Sequence, residues 1–126
     1  MANPMNPVTW FEIYVHDLAR ARRFYEAVFG CSLTRETTDG SFEALRFPGG
    51  MPGNGAMGAL MKHPLREPSA AGTLVYFHCE DCEIQIARAL TQGGQVLKPK
   101  WSIGDDGFIA IIGDTEGNSI GLHSFR

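Results

Sequence analysis

Cysteine is scarce in this chain: there are three, an odd number, with no secretory leader and no long apolar run. That usage excludes a disulfide-stapled secreted fold and a membrane-spanning helix, and it points to a reducing, cytoplasmic setting. Basic charge is also in short supply, with 11 Lys and Arg against 14 Asp and Glu for a formal net charge of -3. The one basic cluster, Arg20-Ala21-Arg22-Arg23, reads as the wet face of a helix, so nucleic acid is not an expected partner. Nor is a membrane. At 126 residues the chain suits one domain with a core large enough to dispense with metals or disulfides.

What is present is a repeated layout. A shift of 64 residues carries Trp10 to Leu74 and lays Trp10 to Leu18 on Leu74 to Cys82. Each stretch is strand-like and ends at an Asp, Asp17 or Asp81, that can cap a helix. The same shift takes Gly30 to Gly94 and Leu33 to Leu97. Few letters match, so the repeat lies in the pattern.

The first half reads as a strand over Val8 to Val15 after a loose leader, then a helix from Asp17 to Gly30. Its apolar stripe is Leu18, Ala21, Tyr25, Val28 and Phe29. Strands are expected at Ser32 to Thr37, Phe42 to Phe47 and Met57 to Met61, with a turn at Asp39-Gly40 and a loop over Pro48 to Gly55. After a polar linker, His63 to Gly72, the order returns. A strand spans Thr73 to Cys79, and a helix spans Cys82 to Gln92 with Cys82, Ile86, Ala89 and Leu90 on one face. Strands follow at Gln95 to Lys98, Gly107 to Ile112 and Ser119 to Phe125, with Trp101 and Asp105-Asp106 in a loop. The expected class is therefore α+β, one domain of two β-α-β-β-β modules at about 8–62 and 73–125 with linker 63–72.

Two motifs carry less than their spelling suggests. Gly53-Asn54-Gly55-Ala56-Met57-Gly58 fits G-x-G-x-x-G, but it enters a strand and offers no helix N-terminus to a pyrophosphate. Cys79-Glu80-Asp81-Cys82 has C-x-x-C spacing, yet the acids between raise the thiol pKa, and no second pair completes a zinc site.

The stretch from Trp10 to Gly30 (WFEIYVHDLARARRFYEAVFG) and that from Gly107 to Phe125 (GFIAIIGDTEGNSIGLHSF) resemble the opening strand and helix and the closing hairpin of the vicinal oxygen chelate superfamily. That superfamily includes glyoxalase I, bleomycin-resistance proteins and extradiol dioxygenases, and the resemblance covers nearly the whole chain. It is greatest with a glyoxalase-like branch of unassigned substrate. The resemblance implies paired modules whose curved mixed sheets enclose a cavity, and a homodimer. It also implies four metal-ligand positions, which fall here on Trp10, Ala59, Leu74 and Gly121. None of these offers imidazole, carboxylate or thiolate to a divalent ion, so no metal and no other cofactor is expected.

Alternation along strands then nominates the cavity wall from residues in step with those positions. These are Glu12, Tyr14, Tyr76, His78, Met61, Ser119 and His123, with Phe125 beside them; Trp10 either blocks the cavity or stacks on its occupant, and Trp101 forms a lid or mouth or serves a subunit interface. An aromatic wall with few polar groups suits a small organic molecule. Two readings of Glu12 stay open: a buried carboxylate working as a general base with His78 or His123, or an acid satisfied by a backbone amide or an Arg. His78 and His123 are in turn partial-core residues, proton donors, or with Glu12 a displaced metal site. His16 and His63 are expected in solvent. The favoured function is a metal-independent small-molecule-binding protein of the glyoxalase/bleomycin-resistance type. The alternative is a glyoxalase-like lyase or isomerase with Glu12 as base.

Overall fold

The computed structural model describes residues 6–50 and 55–126. The expected leader and the Gly53-Asn54 part of the glycine-rich motif lie largely outside them. Eight strands and two helices follow in the order β1 (Trp10–Tyr14), α1 (Leu18–Phe29), β2 (Thr34–Arg35), β3 (Glu43–Arg46), β4 (Met57–Lys62), β5 (Val75–His78), α2 (Cys82–Thr91), β6 (Gln95–Ser102), β7 (Phe108–Gly113) and β8 (Ser119–Ser124). A single 3-10 turn, Gly104–Asp106, joins β6 to β7.

The strands form two mixed four-stranded sheets, ordered β1-β4-β3-β2 and β5-β8-β7-β6. In each, the strand before the helix pairs in parallel with the last strand of the sheet's sequence, and the other pairs are antiparallel. The two sheets do not close on each other, so β1 and β5 each keep one free edge. The registers correspond: Glu12 lies opposite Ala59, and Tyr76, 64 residues on, lies opposite Gly121. The fold class is α+β, as expected.

Local chemistry sets the helices. Asp17 has an extended backbone and its side chain accepts from the Arg20 amide, while Gly30, at φ 62°, ends α1 in the left-handed conformation that glycine adopts without strain. Asp81 likewise accepts from the Glu83 amide at the start of α2. Leu18, Ala21, Phe24, Tyr25 and Val28 bury one face of α1, and Cys82, Gln85 and Ala89 one face of α2. These faces meet Ile13, Leu45 and Leu60 of one sheet and Ala110, Ile112, Ile120 and Leu122 of the other in a single core. Burying a large aliphatic side chain there is worth about 1.5–3 kcal/mol.

Three expectations change. Leu90 is exposed rather than buried, and Gln85 takes its place in the buried stripe of α2. Trp101 belongs to β6, which runs four residues past its expected end through two register shifts and is not a loop at the mouth of a cavity. Glu12 is exposed, on the face of β1 opposite Ile13, which points into the core.

The turn between β7 and β8 clasps the start of the chain. Glu116 accepts hydrogen bonds from the amides of His16 and Asp17 and from Arg20. Asn118 donates to the Tyr14 carbonyl, and Asp114 accepts from the buried Tyr25 hydroxyl at 2.6 Å. Turn, first strand and first helix are therefore positioned as one unit.

Candidate functional site

A cavity of about 1080 Å³ opens along β1 and β5. It is lined by the consecutive residues Trp10 to Tyr14 and Gly72 to Glu80. Side chains alternate across a strand, so a wall of consecutive residues means that strand edges, not a strand face, bound the space. This edge-on geometry corrects the alternation used to nominate its lining.

One wall is aromatic. Phe29 and Phe77 stack with centroids 4.2 Å apart, and Phe77 also meets Phe47 at 5.5 Å and Phe11 at 6.0 Å. All four rings line the cavity, with Cys31 and Gln85 beside them. Phe11 lies against Gly58, where a Cβ would overlap its ring, so the glycine is what lets the ring lie flat on the strand.

The other part of the wall is polar and wetter. Tyr14 donates its hydroxyl to Glu12 Oε1 at 2.6 Å, and Trp10 donates Nε1–H to Glu12 Oε2 at 3.1 Å. Glu12 is thus neither buried nor unpartnered, and its acceptors are met by two aromatic neighbours on its own strand. The hydrogen bond to Glu12, followed by burial, raises the Tyr14 pKa, with Arg66 acting in the opposite direction. The Arg46 guanidinium lies 5.7 Å from the Trp10 ring centre and pairs with Glu36 at 3.3 Å. A second cavity of about 310 Å³ is also lined by Trp10 and Glu12, and it reaches Phe42, Arg46 and Met61.

The nominated residues therefore divide. Trp10, Glu12, Tyr14, Tyr76, His78 and Ser119 share the large cavity, and Met61 belongs to the small one. His123 and Trp101 line neither. His123 pairs with His78 across β5 and β8, but its Nε2 donates to the Asp106 carbonyl at 2.6 Å and its ring meets Phe125 edge-on. Trp101 packs under the Lys98 ammonium at 3.8 Å. Ser119 donates to the Ala70 carbonyl.

The four positions where the resemblance implies metal ligands do not fit an ion. Trp10 and Leu74 line the large cavity, Ala59 is fully buried, and a Cβ on Gly121 would overlap the Tyr76 ring. Among the described residues no three His, Cys, Asp or Glu side chains are grouped to hold a metal, so Glu12, His78 and His123 form no displaced site. Both cysteines of the C-x-x-C pair are buried, and burial, then Cys82 and Asp81, push the Cys79 thiol up to about 12.

Gln85 and the four phenylalanines line the cavity although alternation did not nominate them. The legible signal was a polar residue three positions after Cys82 and four before Ala89, inside an apolar helical stripe.

Known proteins share this architecture. TnmS3, an antibiotic-binding protein of Streptomyces sp. CB03234, is 25% identical with a TM-score of 0.69, over 98% of each chain. A glyoxalase family protein of Bacillus cereus superposes with a TM-score of 0.74 over 98% of this chain and 97% of its own, at 19% identity, which shows the fold alone. CFP32, a proposed glyoxylase of Mycobacterium bovis, is 27% identical over 120 residues, and the chain spans 43% of that relative's length. The model of the Glyoxalase/Bleomycin resistance protein/Dioxygenase superfamily matches residues 8–122, and the chain belongs to that family.

Proposed function

We propose that the protein binds a small, partly aromatic organic molecule without a metal, in the cavity along β1 and β5. The observation that carries this reading is the cavity itself: about 1080 Å³ walled by Phe11, Phe29, Phe47 and Phe77, with a few polar groups at Glu12, Tyr14 and His78. Such a lining gives apolar contact area and leaves orientation to a handful of hydrogen bonds. The likeness to an antibiotic-binding protein supports the same class of function.

The test is calorimetric titration of chelator-treated protein with N-phenyl-1-naphthylamine, a neutral aromatic probe. One saturable site per chain, unchanged by added zinc, nickel or manganese, is the expected result. Binding that appears only with a divalent ion overturns the reading.

A second reading is a lyase or isomerase with Glu12 as general base. The observation that favours it is that Glu12 and Tyr14 both line the cavity with the Tyr14 hydroxyl 2.6 Å from the carboxylate, a proton acceptor and a proton donor side by side. Here Tyr14 replaces His123 as the group in contact with Glu12. Turnover lost in Glu12→Gln with binding retained would favour this reading.

The working form is read as a cytoplasmic homodimer. Support for subunit pairing comes from the free edges that β1 and β5 keep, each open to a strand of a second copy. No helix among the described residues is long and apolar enough to cross a membrane. Sedimentation giving a monomer at micromolar concentration would refute the dimer.

A further inference from the structure

The large cavity changes character with depth. Side chains of β1 and β5 alternate between two faces, and both faces contribute to the lining. Phe11 and Phe77 stand with Phe29 and Phe47 against the core and make an inner, apolar layer. Trp10, Glu12, Tyr14, Tyr76 and His78 come from the opposite face and make an outer layer, in which all but Tyr14 are exposed. The Tyr76 ring sits against Gly121, where a Cβ would overlap it, and the residue is still 46% exposed.

Fixed charge in the lining is of one sign. Glu12, Glu67 and Glu80 line the cavity, and no Lys or Arg of the described residues does. Glu80 is met by Arg126, whereas neither Glu12 nor Glu67 has an ion pair among the described residues. Arg46 lines the small cavity, where it pairs with Glu36, and Arg66 acts on Tyr14 from outside the lining. Glu12 accepts from two neutral donors, the Trp10 Nε1–H and the Tyr14 hydroxyl, one on each oxygen. A carboxylate has about four acceptor sites, so each oxygen keeps one for a ligand.

We infer that the large cavity takes an amphiphilic organic cation, with its charged nitrogen against the Glu12 carboxylate and its aromatic or aliphatic body on the inner phenylalanine layer. This rests on the proposed binding function and names its ligand class. An anion would bring its charge to a lining that holds carboxylates and no cation. A neutral molecule would use the inner layer and leave Glu12 to water. A metal ion lacks a donor set, since among the described residues no three His, Cys, Asp or Glu side chains are grouped to hold one. An organic ammonium is drawn both to Glu12 and to the faces of the outer aromatic rings.

The experiment is calorimetric titration of the whole chain at pH 7 with three compounds on one ring system: trimethyl(2-naphthylmethyl)ammonium, 2-naphthylmethanol and 2-naphthylacetate. The native protein should bind the ammonium about tenfold more tightly than the alcohol, the combined effect of one exposed ion pair and one cation–π contact, and the carboxylate most weakly. In Glu12→Gln the ratio of ammonium to alcohol affinity should fall to about threefold, the aromatic share alone. Raising the salt to about 0.5 M should lower the ratio in the native protein, which decides the matter without any substitution. A ratio near one, tightest binding of the carboxylate, or a ratio that neither Glu12→Gln nor salt lowers overturns the inference. Binding of N-phenyl-1-naphthylamine and the alcohol with no preference for the ammonium keeps the binding function and loses only this inference. Absence of binding to all four compounds removes both.

Discussion

Glu116 and Arg20, 96 residues apart, meet at 2.6 Å with the carboxylate side chain fully buried and the guanidinium about half exposed. The same carboxylate receives the amides of His16 and Asp17 and the Thr115 hydroxyl. Burial alone would raise its pKa, but Arg20, the Asp17 amide, Thr115 and the His16 amide together outweigh burial and lower it from 4.5 to about 2.

A carboxylate depressed in the folded state contributes stability that is complete above its unfolded pKa and is lost as pH falls through its folded one. The window is therefore about 4.5 down to about 2. Glu116→Gln should cost roughly 2–3 kcal/mol near neutral pH, allowing for screening at the exposed Arg20. In urea unfolding the gap between native and variant should narrow as the pH drops through that window. A gap independent of pH would show that the charge is not what holds the clasp.

Tyr25 and Asp114 make the neighbouring tie, with both groups buried. Burial first, then the charge of Asp114, raises the Tyr25 pKa well above its usual value, so the hydroxyl stays a donor. Tyr25→Phe should cost about 1–2 kcal/mol in urea unfolding. It stops short of more because Asp114 keeps the amides of Glu116 and Asn118 and the Asn118 side chain.

Thiol reactivity should follow burial. Cys31 is partly exposed, although burial raises its pKa, whereas Cys79 and Cys82 are buried. Alkylation near pH 8, read by mass spectrometry, should label Cys31 first and reach Cys79 and Cys82 only at the rate of unfolding. Rapid oxidation of the folded protein to a Cys79–Cys82 disulfide would contradict this order.

Metal-binding side chains should not restore an ion site cheaply. Trp10→His with Leu74→His leaves buried Ala59 without a donor and Gly121 under the Tyr76 ring. Titration of that double variant with zinc or nickel should show no stoichiometric site. Tight binding would show that two introduced imidazoles suffice for an ion site in the large cavity, which positions 10 and 74 both line.

Glu12→Ala should weaken probe binding severalfold while changing urea stability by less than about 1 kcal/mol, since the bonds it loses are on an exposed strand edge. A loss of stability with affinity unchanged would make Glu12 a structural residue only.

The sequence made the fold legible wherever periodicity and capping agreed. Asp17, Gly30 and Asp81 bound the helices as expected, and the 64-residue shift anticipates the matched registers of Glu12 with Ala59 and Tyr76 with Gly121. The candidate site was half legible. Trp10, Glu12, Tyr14, Tyr76, His78 and Ser119 line one cavity, but alternation assumes that a ligand meets a strand's face. Here the cavity is bounded by two edges, so Phe11 and Phe77 line it and His123 and Met61 do not. Which edge is left free depends on how the two sheets sit beside each other, and local periodicity does not encode that.

The clasp around the start of the chain also orders events during synthesis. The acceptors for Tyr25, His16 and Asp17 lie at positions 114 and 116. A nascent chain that has released β1 and α1 must wait for nearly ninety further residues before those groups find their partners. Until then the first helix holds its local caps, Asp17 and Gly30, without the Glu116 and Asp114 ties, and its apolar face lacks Ala110, Ile112, Ile120 and Leu122 of the second sheet, which leaves apolar surface open to chaperones.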